Sequence, residues 1–223
     1  MKKNKLLTVT NVVILICILV YVVDRFILFD SSSVGIMDFK INGQPLSTDS
    51  LLFKILGFGF GRLYEFMAYG DEYGKSIYRL ITYIFMHQFL IHMIVNLIPL
   101  YIVGNKMEKN NGSILTLFVF MISGIIGLLI TNLIVPGNSV SAGASIAVFG
   151  LMGANLAMCF TNKEYIKTFS KKEKILLIIY GLVFTYTSGS WTMVAHNTGL
   201  ILGVVIYLIY YYLFYKKLKN NCG

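Results

Sequence analysis

Six long apolar segments, joined by short polar connections, are the feature that most limits what this chain can fold into. They fall at about residues 6–29, 80–104, 114–135, 142–160, 174–189 and 193–214. A spanning α-helix needs about 20 apolar residues, and most of these segments reach that length. Since the chain is 57% hydrophobic and only 13% charged, the sequence predicts an all-α polytopic membrane protein with six transmembrane helices.

Basic residues collect in four polar segments and indicate the orientation. MKKNK at the N-terminus, the NKMEKNNG and TNKEYIKTFSKKEK loops and the KKLKNNCG tail hold 13 of the 19 basic residues but 3 of the 10 acidic ones. Because Lys-rich loops stay in the cytoplasm, both termini are predicted to be cytoplasmic, in a plasma-membrane protein. The net charge of +9 follows from this asymmetry. With no soluble domain to present a basic face, it does not indicate nucleic-acid binding.

The segments divide the chain into four parts. Residues 1–29 are predicted to form the cytoplasmic N-terminus and first transmembrane helix, which is retained as an anchor, and residues 216–223 form a cytoplasmic tail. The 30–78 connection is predicted to be an extracytoplasmic loop that lies partly in the headgroup layer, because its second half mixes aromatic and charged residues. A mobile loop is the alternative. Residues 79–215 hold the remaining five helices.

Polar side chains within the apolar segments are the candidate functional residues, because such groups are costly in lipid and usually functional. His87, His92 and Asn96 lie on the second segment, Ser145 on the fourth and His196 on the sixth. At 1.5 Å per residue, Ser145 and His196 both lie about 5–10 Å below the outer surface. His92 and Asn96 are spaced i and i+4 and share a helix face. We therefore expect these groups to converge in the outer half of the bundle.

Small residues flank Ser145 and His196 at helical spacing. They include Gly150, Ala154, Gly199 and Gly203. Small faces let membrane helices approach closely. A serine and a histidine on two such helices can form the hydrogen bond of about 2.6–3.2 Å that a nucleophile and its base require.

Simpler interpretations exist for each of these residues. A serine in a membrane helix most often bonds a carbonyl of its own preceding turn, and a lone buried histidine is often structural. Metal binding is the competing chemistry. The histidine spacing is not HExxH, and spans two to six contain no acidic ligand. The sequence therefore predicts neither a metal nor another cofactor.

Three motifs, in order and on the corresponding helices, resemble the rhomboid family of intramembrane serine proteases over about residues 76–210. The motifs are HQFLIHMIVN, GASIAVFG and HNTGLILG. They contain His87, His92 and Asn96; Gly143 and Ser145; and His196, Gly199 and Gly203. Two positions depart from the common pattern. Ile146 follows the nucleophile where many members have Gly, and Phe149 replaces a Tyr that many bacterial members place beneath the catalytic imidazole.

The resemblance implies a six-helix rhomboid bundle, with residues 79–215 as its catalytic core. It further implies a dyad in which His196 is the general base and Ser145 the nucleophile, with His92, Asn96 and the Ser145 main-chain N–H binding the oxyanion. Supporting roles are implied for Gly143, His87 and Phe149. The expected partners are single-span membrane-protein substrates and the lipid bilayer, with no obligatory partner chain. The alternative is an inactive relative that binds membrane proteins or acts in quality control.

Overall fold

The computed structural model describes residues 8–24, 58–59, 78–87, 89–135, 140–186 and 189–215, and helices dominate these segments, as predicted. The helices are α1 (Val9–Val22), α2 (Arg79–Thr82) with a following 3₁₀ turn (Tyr83–Phe85), α3 (Leu90–Asn111), α4 (Ser113–Ile134), α5 (Ser145–Thr161), a 3₁₀ turn (Tyr165–Thr168), α6 (Lys171–Tyr186) and α7 (Ser190–Tyr210), which continues as a π turn (Tyr211–Tyr215).

The exterior of the bundle is apolar. Within the described residues, α3, α4 and the continuous stretch Ser190–Phe214 are long and apolar enough to cross a bilayer, while α1 and α5 are apolar but shorter. Large side chains face outward, among them Ile114 at 88% exposure and Phe160 at 79%. Such a surface is unfavourable in water and favourable in hydrocarbon. The fold is therefore that of an all-α, multi-pass membrane protein.

Helix α5 is the centre of the bundle and packs most extensively on α7 and then on α4. An added Cβ at Gly199 would overlap the main chain of Ile146, and one at Gly203 would overlap the main chain of Gly150. Ala154, one turn after Gly150 on α5, is fully buried. The two helices are in backbone contact, which requires small residues on both faces.

The prediction of one continuous helix over 80–104 is wrong. Residues 79–85 form α2 and its 3₁₀ turn, the chain is extended at Met86 and Phe89, and α3 begins only at Leu90. The Tyr83 carbonyl accepts the main-chain N–H of Gly143 at 3.0 Å, and the Tyr83 hydroxyl donates to the Gly124 carbonyl at 2.8 Å. These tertiary contacts hold the segment out of a continuous helix, and apolar composition alone does not reveal them.

The other boundaries differ by smaller shifts or lie outside the described residues. Helix α4 matches the 114–135 prediction within one residue, whereas α6 begins at Lys171 instead of 174. Of the 30–78 loop, the structure describes Tyr78 and the two-residue strand β1 (Phe58–Gly59), which pairs antiparallel with β2 (Val140–Ser141). The predicted interfacial part of that loop and the 216–223 tail otherwise fall outside the described residues.

Candidate active site

Ser145 is the first residue of α5 and follows a tight turn. Gly143 in that turn has φ +126°, a value that favours glycine, and its N–H is held by the Tyr83 carbonyl. The N–H groups in the first turn of a helix have no intrahelical acceptor, and the helix dipole is positive at this end. The Ser145 hydroxyl, half-buried, therefore lies where main-chain N–H groups can stabilise an anion.

Helices α5 and α7 run parallel in a register that brings His196 level with Ser145. Ile146 meets Gly199, and one turn further along both helices Gly150 meets Gly203. His196 precedes Gly199 by three residues, so it lies one turn toward the end of the bundle where α5 begins. The structure thus brings the two predicted residues to the same end of one helix–helix contact.

Phe149 supports the His196 ring. The two rings stack with centroids 4.2 Å apart and an interplanar angle of 8°. Phe149 is one turn below Ser145 on the same face of α5, so the stack fixes the imidazole plane beside the first turn of that helix. The phenyl ring occupies the position beneath the imidazole that the resemblance implies.

His196 is 3% exposed, and its protonation pattern follows from its partner. Nδ1 lies 3.0 Å from the main-chain carbonyl oxygen of Phe184 on α6. A carbonyl can only accept, so Nδ1 carries the proton and Nε2 keeps a free lone pair. The Phe184 carbonyl thus orients the imidazole, as a carboxylate does in a catalytic triad.

The expected short hydrogen bond between Ser145 and His196 is not among the bonds formed by the described residues; the bond found for His196 is the one at Nδ1. Hydrogen bonds between catalytic groups are often long in the absence of substrate and tighten in the substrate complex.

His92, on α3, borders the turn that precedes Ser145. A Cβ added at Gly143 would lie 2.8 Å from His92 Cε1 and 3.0 Å from Nε2. Only glycine therefore fits at this position, both for its positive φ and for the ring beside it. His92 Nδ1 is buried and has no hydrogen-bond partner among the described residues.

Asn96 lies one turn below His92 and is 1% exposed. Its Nδ2 donates to the His92 carbonyl at 2.8 Å, and its Oδ1 accepts the Tyr180 hydroxyl at 3.2 Å. An NH₂ group has two protons, so the second remains for another acceptor. His92 and Asn96 are thus neighbours on α3, as their spacing predicted.

His87 is placed differently from the sequence expectation. It lies in the break between the 3₁₀ turn and α3, so its predicted place within the helix of the second segment is wrong. It is buried, its ring meets the His92 ring edge-on at 5.4 Å, and neither nitrogen has a hydrogen-bond partner within the described segments. The described segments also contain no cluster of three or more His, Cys, Asp or Glu side chains that could hold a metal.

Two residues of α6 contact the candidate site and were not found from the sequence. Phe184 contributes its main-chain carbonyl to His196, and Tyr180 contributes its hydroxyl to Asn96. A carbonyl has no residue signature, and Tyr180 is one of 15 tyrosines in an apolar chain. Only the folded arrangement distinguishes them.

Comparison with known proteins identifies the family of this chain. The sequence profile of the rhomboid domain matches residues 74–213, more than half of the chain. The chain is 32% identical over 129 residues to the rhomboid-named protein YdcA of Bacillus subtilis, 33% over 133 residues to RHOMBOID-like protein 6, mitochondrial, of Arabidopsis thaliana, and 30% over 164 residues to Rhomboid protease GluP of Bacillus subtilis.

These matches cover 58%, 58% and 74% of this chain and 65%, 42% and 30% of the respective relatives. The chain therefore spans less than two thirds of the length of each of these relatives. The three motifs that contain His92, Ser145 and His196 lie within the 74–213 match to the rhomboid domain. The chain belongs to the rhomboid family of intramembrane proteases.

Proposed function

We propose that this chain is a serine endopeptidase that hydrolyses peptide bonds in or near transmembrane segments, with Ser145 as nucleophile and His196 as general base. The observation that supports the proposal most is the position of His196. Its ring is stacked on Phe149 and is level with the start of α5. The Phe184 carbonyl accepts a hydrogen bond from Nδ1 and so keeps the proton on that nitrogen. A basic Nε2 in this position can take the proton of the Ser145 hydroxyl.

The reaction then proceeds through an acyl-enzyme. Ser145 Oγ attacks the peptide carbonyl as its proton moves to His196 Nε2, and the imidazolium returns that proton to the leaving amine. Water subsequently attacks the ester, again with His196 as base, and releases the new carboxyl terminus. The oxyanion is bound by the Ser145 N–H and the side chains of His92 and Asn96, and loss of one such donor typically costs about 2.7–4 kcal/mol of barrier.

We further propose that the chain spans the plasma membrane six times, with both termini in the cytoplasm and the 30–78 connection outside. Helix α5 begins at Ser145 and ends near the lysine-rich segment 163–174. Since Lys-rich loops are cytoplasmic, the Ser145 end of α5 faces the outer side. Water, which hydrolysis consumes, is available there.

The proposed substrates are single-span proteins whose helices unwind near their outer ends. Unfolding a helix in hydrocarbon exposes main-chain groups at a cost of several kcal/mol each. Helices with Gly, Pro or polar residues near the outer end open more readily, and a small residue at the cut gives Ser145 access to the carbonyl. No cofactor or obligatory partner chain is proposed.

The test is cleavage of a fluorescent single-span substrate in liposomes by the wild-type chain, Ser145→Ala and His196→Ala. We expect each substitution to lower the rate by about 10⁴-fold or more, because paired catalytic residues act as a unit. Ser190→Ala and Asn197→Ala are matched controls, since both residues are exposed on α7, and both should cleave like the wild type.

A fluorophosphonate should also label the wild type and not Ser145→Ala. Cleavage that survives in Ser145→Ala would contradict the proposed dyad. A wild type that cleaves none of several helix-weak substrates and takes up no fluorophosphonate would favour the inactive, substrate-binding relative.

A further inference from the structure

Helix α6 makes two polar contacts with the site, and they are one helical turn apart. The Tyr180 hydroxyl meets Asn96 Oδ1 at 3.2 Å, and the Phe184 carbonyl meets His196 Nδ1 at 3.0 Å. Asn96 belongs to α3 and His196 to α7, so one face of α6 bonds both an oxyanion donor and the base of the proposed reaction.

The orientation of the Asn96 amide follows from its partners. A main-chain carbonyl has no proton to donate, so the amide atom 2.8 Å from the His92 oxygen must be Nδ2. The other amide atom is then Oδ1, which can only accept, and the Tyr180 hydroxyl is its donor. The two hydrogen bonds together select one of the two amide orientations and keep the NH₂ group on the His92 side.

Burial makes this selection strict. Asn96 is 1% exposed and Tyr180 6% exposed, so water does not easily replace the hydroxyl. A buried carbonyl without a donor is costly. When the hydroxyl is removed, Oδ1 loses its donor, and the bond from Nδ2 to the His92 carbonyl is left as the contact that orients the amide.

The loose packing of α6 raises the importance of these bonds. Only Tyr180 and Thr185 of this helix are buried. Two apolar clefts that open to the surface flank it, one of about 440 Å³ toward α5 and one of about 480 Å³ toward α3. With few apolar contacts, the position of α6 depends strongly on its polar contacts with the bundle.

We propose that Tyr180 is a positioning residue of the protease: its hydroxyl holds the Asn96 amide in the orientation that donates Nδ2–H to the oxyanion. The inference rests on the proposed function. Tyr180 does not touch the reacting atoms. Its hydroxyl acts through Asn96, whereas its ring packs against Phe149 with centroids 5.3 Å apart, a contact that Tyr180→Phe leaves in place.

The experiment is a double-mutant cycle of Tyr180→Phe and Asn96→Ala on the full chain in liposomes, with kcat and KM measured for a single-span substrate and rates divided by the folded fraction from size-exclusion chromatography. We expect Tyr180→Phe to lower kcat by about 10- to 100-fold, because a displaced donor loses most of its effect. KM should stay near the wild-type value, and the thermal midpoint should fall by a few degrees at most, since one buried hydrogen bond is lost while the ring and its packing remain. In the Asn96→Ala background, Tyr180→Phe should have no further effect.

Tyr186→Phe is the matched control, because Tyr186 is on the same helix and 69% exposed, and it should match the wild type. A Tyr180→Phe rate equal to the wild type, or a loss that multiplies with that of Asn96→Ala, would overturn the inference while Ser145 remains essential. Cleavage that survives Ser145→Ala would instead overturn the proposed function on which the inference rests.

Discussion

The α5–α7 contact and helix α6 represent two opposite ways of building this protein. Along α5 and α7 the backbones touch, and an added Cβ at Gly199 or Gly203 would overlap main-chain atoms. Helix α6 buries only two side chains, and apolar clefts open to the surface lie on both of its sides. The proposed nucleophile and base are on the tightly packed pair, whereas the groups that contact His196 Nδ1 and Asn96 Oδ1 are on the loosely packed helix.

The difference separates two requirements of the proposed reaction. Ser145 and His196 must keep one relative position, and backbone contact is the least deformable packing that membrane helices offer. The hydrogen bonds from Tyr180 and Phe184 must only select an amide orientation and a tautomer. A helix can do that through a few polar contacts, so it can tolerate sequence changes that the glycine contact cannot.

The sharpest way to break this comparison is to add one methyl group to each region. Gly203→Ala should destabilise the protein by about 3 kcal/mol, the upper end of the usual range for overpacking, because the new Cβ meets the Gly150 main chain and the helices must separate. The midpoint of thermal unfolding in detergent and the rate of substrate cleavage should both fall.

Gly181→Ala is the matched substitution on α6. Its Cβ would meet only Met152 Cε at 3.6 Å, an ordinary contact. Alanine in a helix interior is favoured over glycine by about 0.5–1 kcal/mol, so this variant should be as stable as the wild type or slightly more stable. Equal losses in the two variants would show that α6 is as tightly packed as α5 and α7.

The sequence predicted the tight region better than the loose one. Gly199 and Gly203 repeat every four residues beside a buried histidine, and such a repeat indicates close helix packing without knowledge of the fold. The i, i+4 spacing of His92 and Asn96 likewise survives because both lie inside one uninterrupted helix.

The features that escaped prediction depend on contacts between distant segments. The break before Leu90 arises because the Tyr83 carbonyl bonds Gly143, sixty residues away along the chain, and this moved His87 off the helix. Tyr180 and Phe184 reach the site only because α6 docks on the bundle. The apolar side chains of α6 resemble those of any lipid-facing helix, so the sequence does not predict where α6 docks. Residues that act through a main-chain carbonyl leave no pattern in the sequence.

A second prediction tests whether the turn before Ser145 belongs to the rigid region. Gly143→Ala brings a Cβ against the His92 ring at a φ of +126°, so either the turn or the ring must move. Loss of one oxyanion donor lowers kcat by about 10²–10³-fold, and we expect a loss of this size. Gly112→Ala is the control, because Gly112 has φ +86° and open space around it. Gly112→Ala introduces backbone strain but no contact with a histidine ring. If its cleavage rate fell as far as that of Gly143→Ala, the effect would be due to strain alone.

The smallest expected effect concerns the anchoring of α6 at its lysine-rich end. Glu173 accepts the Ser170 N–H at 2.6 Å and pairs with Lys106 on α3 at 3.2 Å. Burial alone would raise the pKa of this carboxyl, but the bonds from Ser170 and Lys106 outweigh it and hold the pKa below its ordinary value. A lowered pKa in the folded state means that the contribution to stability is present above the ordinary glutamate pKa of about 4.3 and is lost as pH falls through the lower folded value.

Glu173→Gln should therefore lower the free energy of unfolding at pH 7 by less than about 1 kcal/mol, because the charges are partly solvated. The difference from the wild type should shrink as the pH is lowered through the folded pKa. Thermal midpoints of both proteins, measured from pH 7 down to pH 3, give this difference directly. A loss of several kcal/mol at pH 7 would show that one half-buried ion pair fixes the position of α6. The contrast with the glycine-packed helices would then be in the kind of contact and not in its strength.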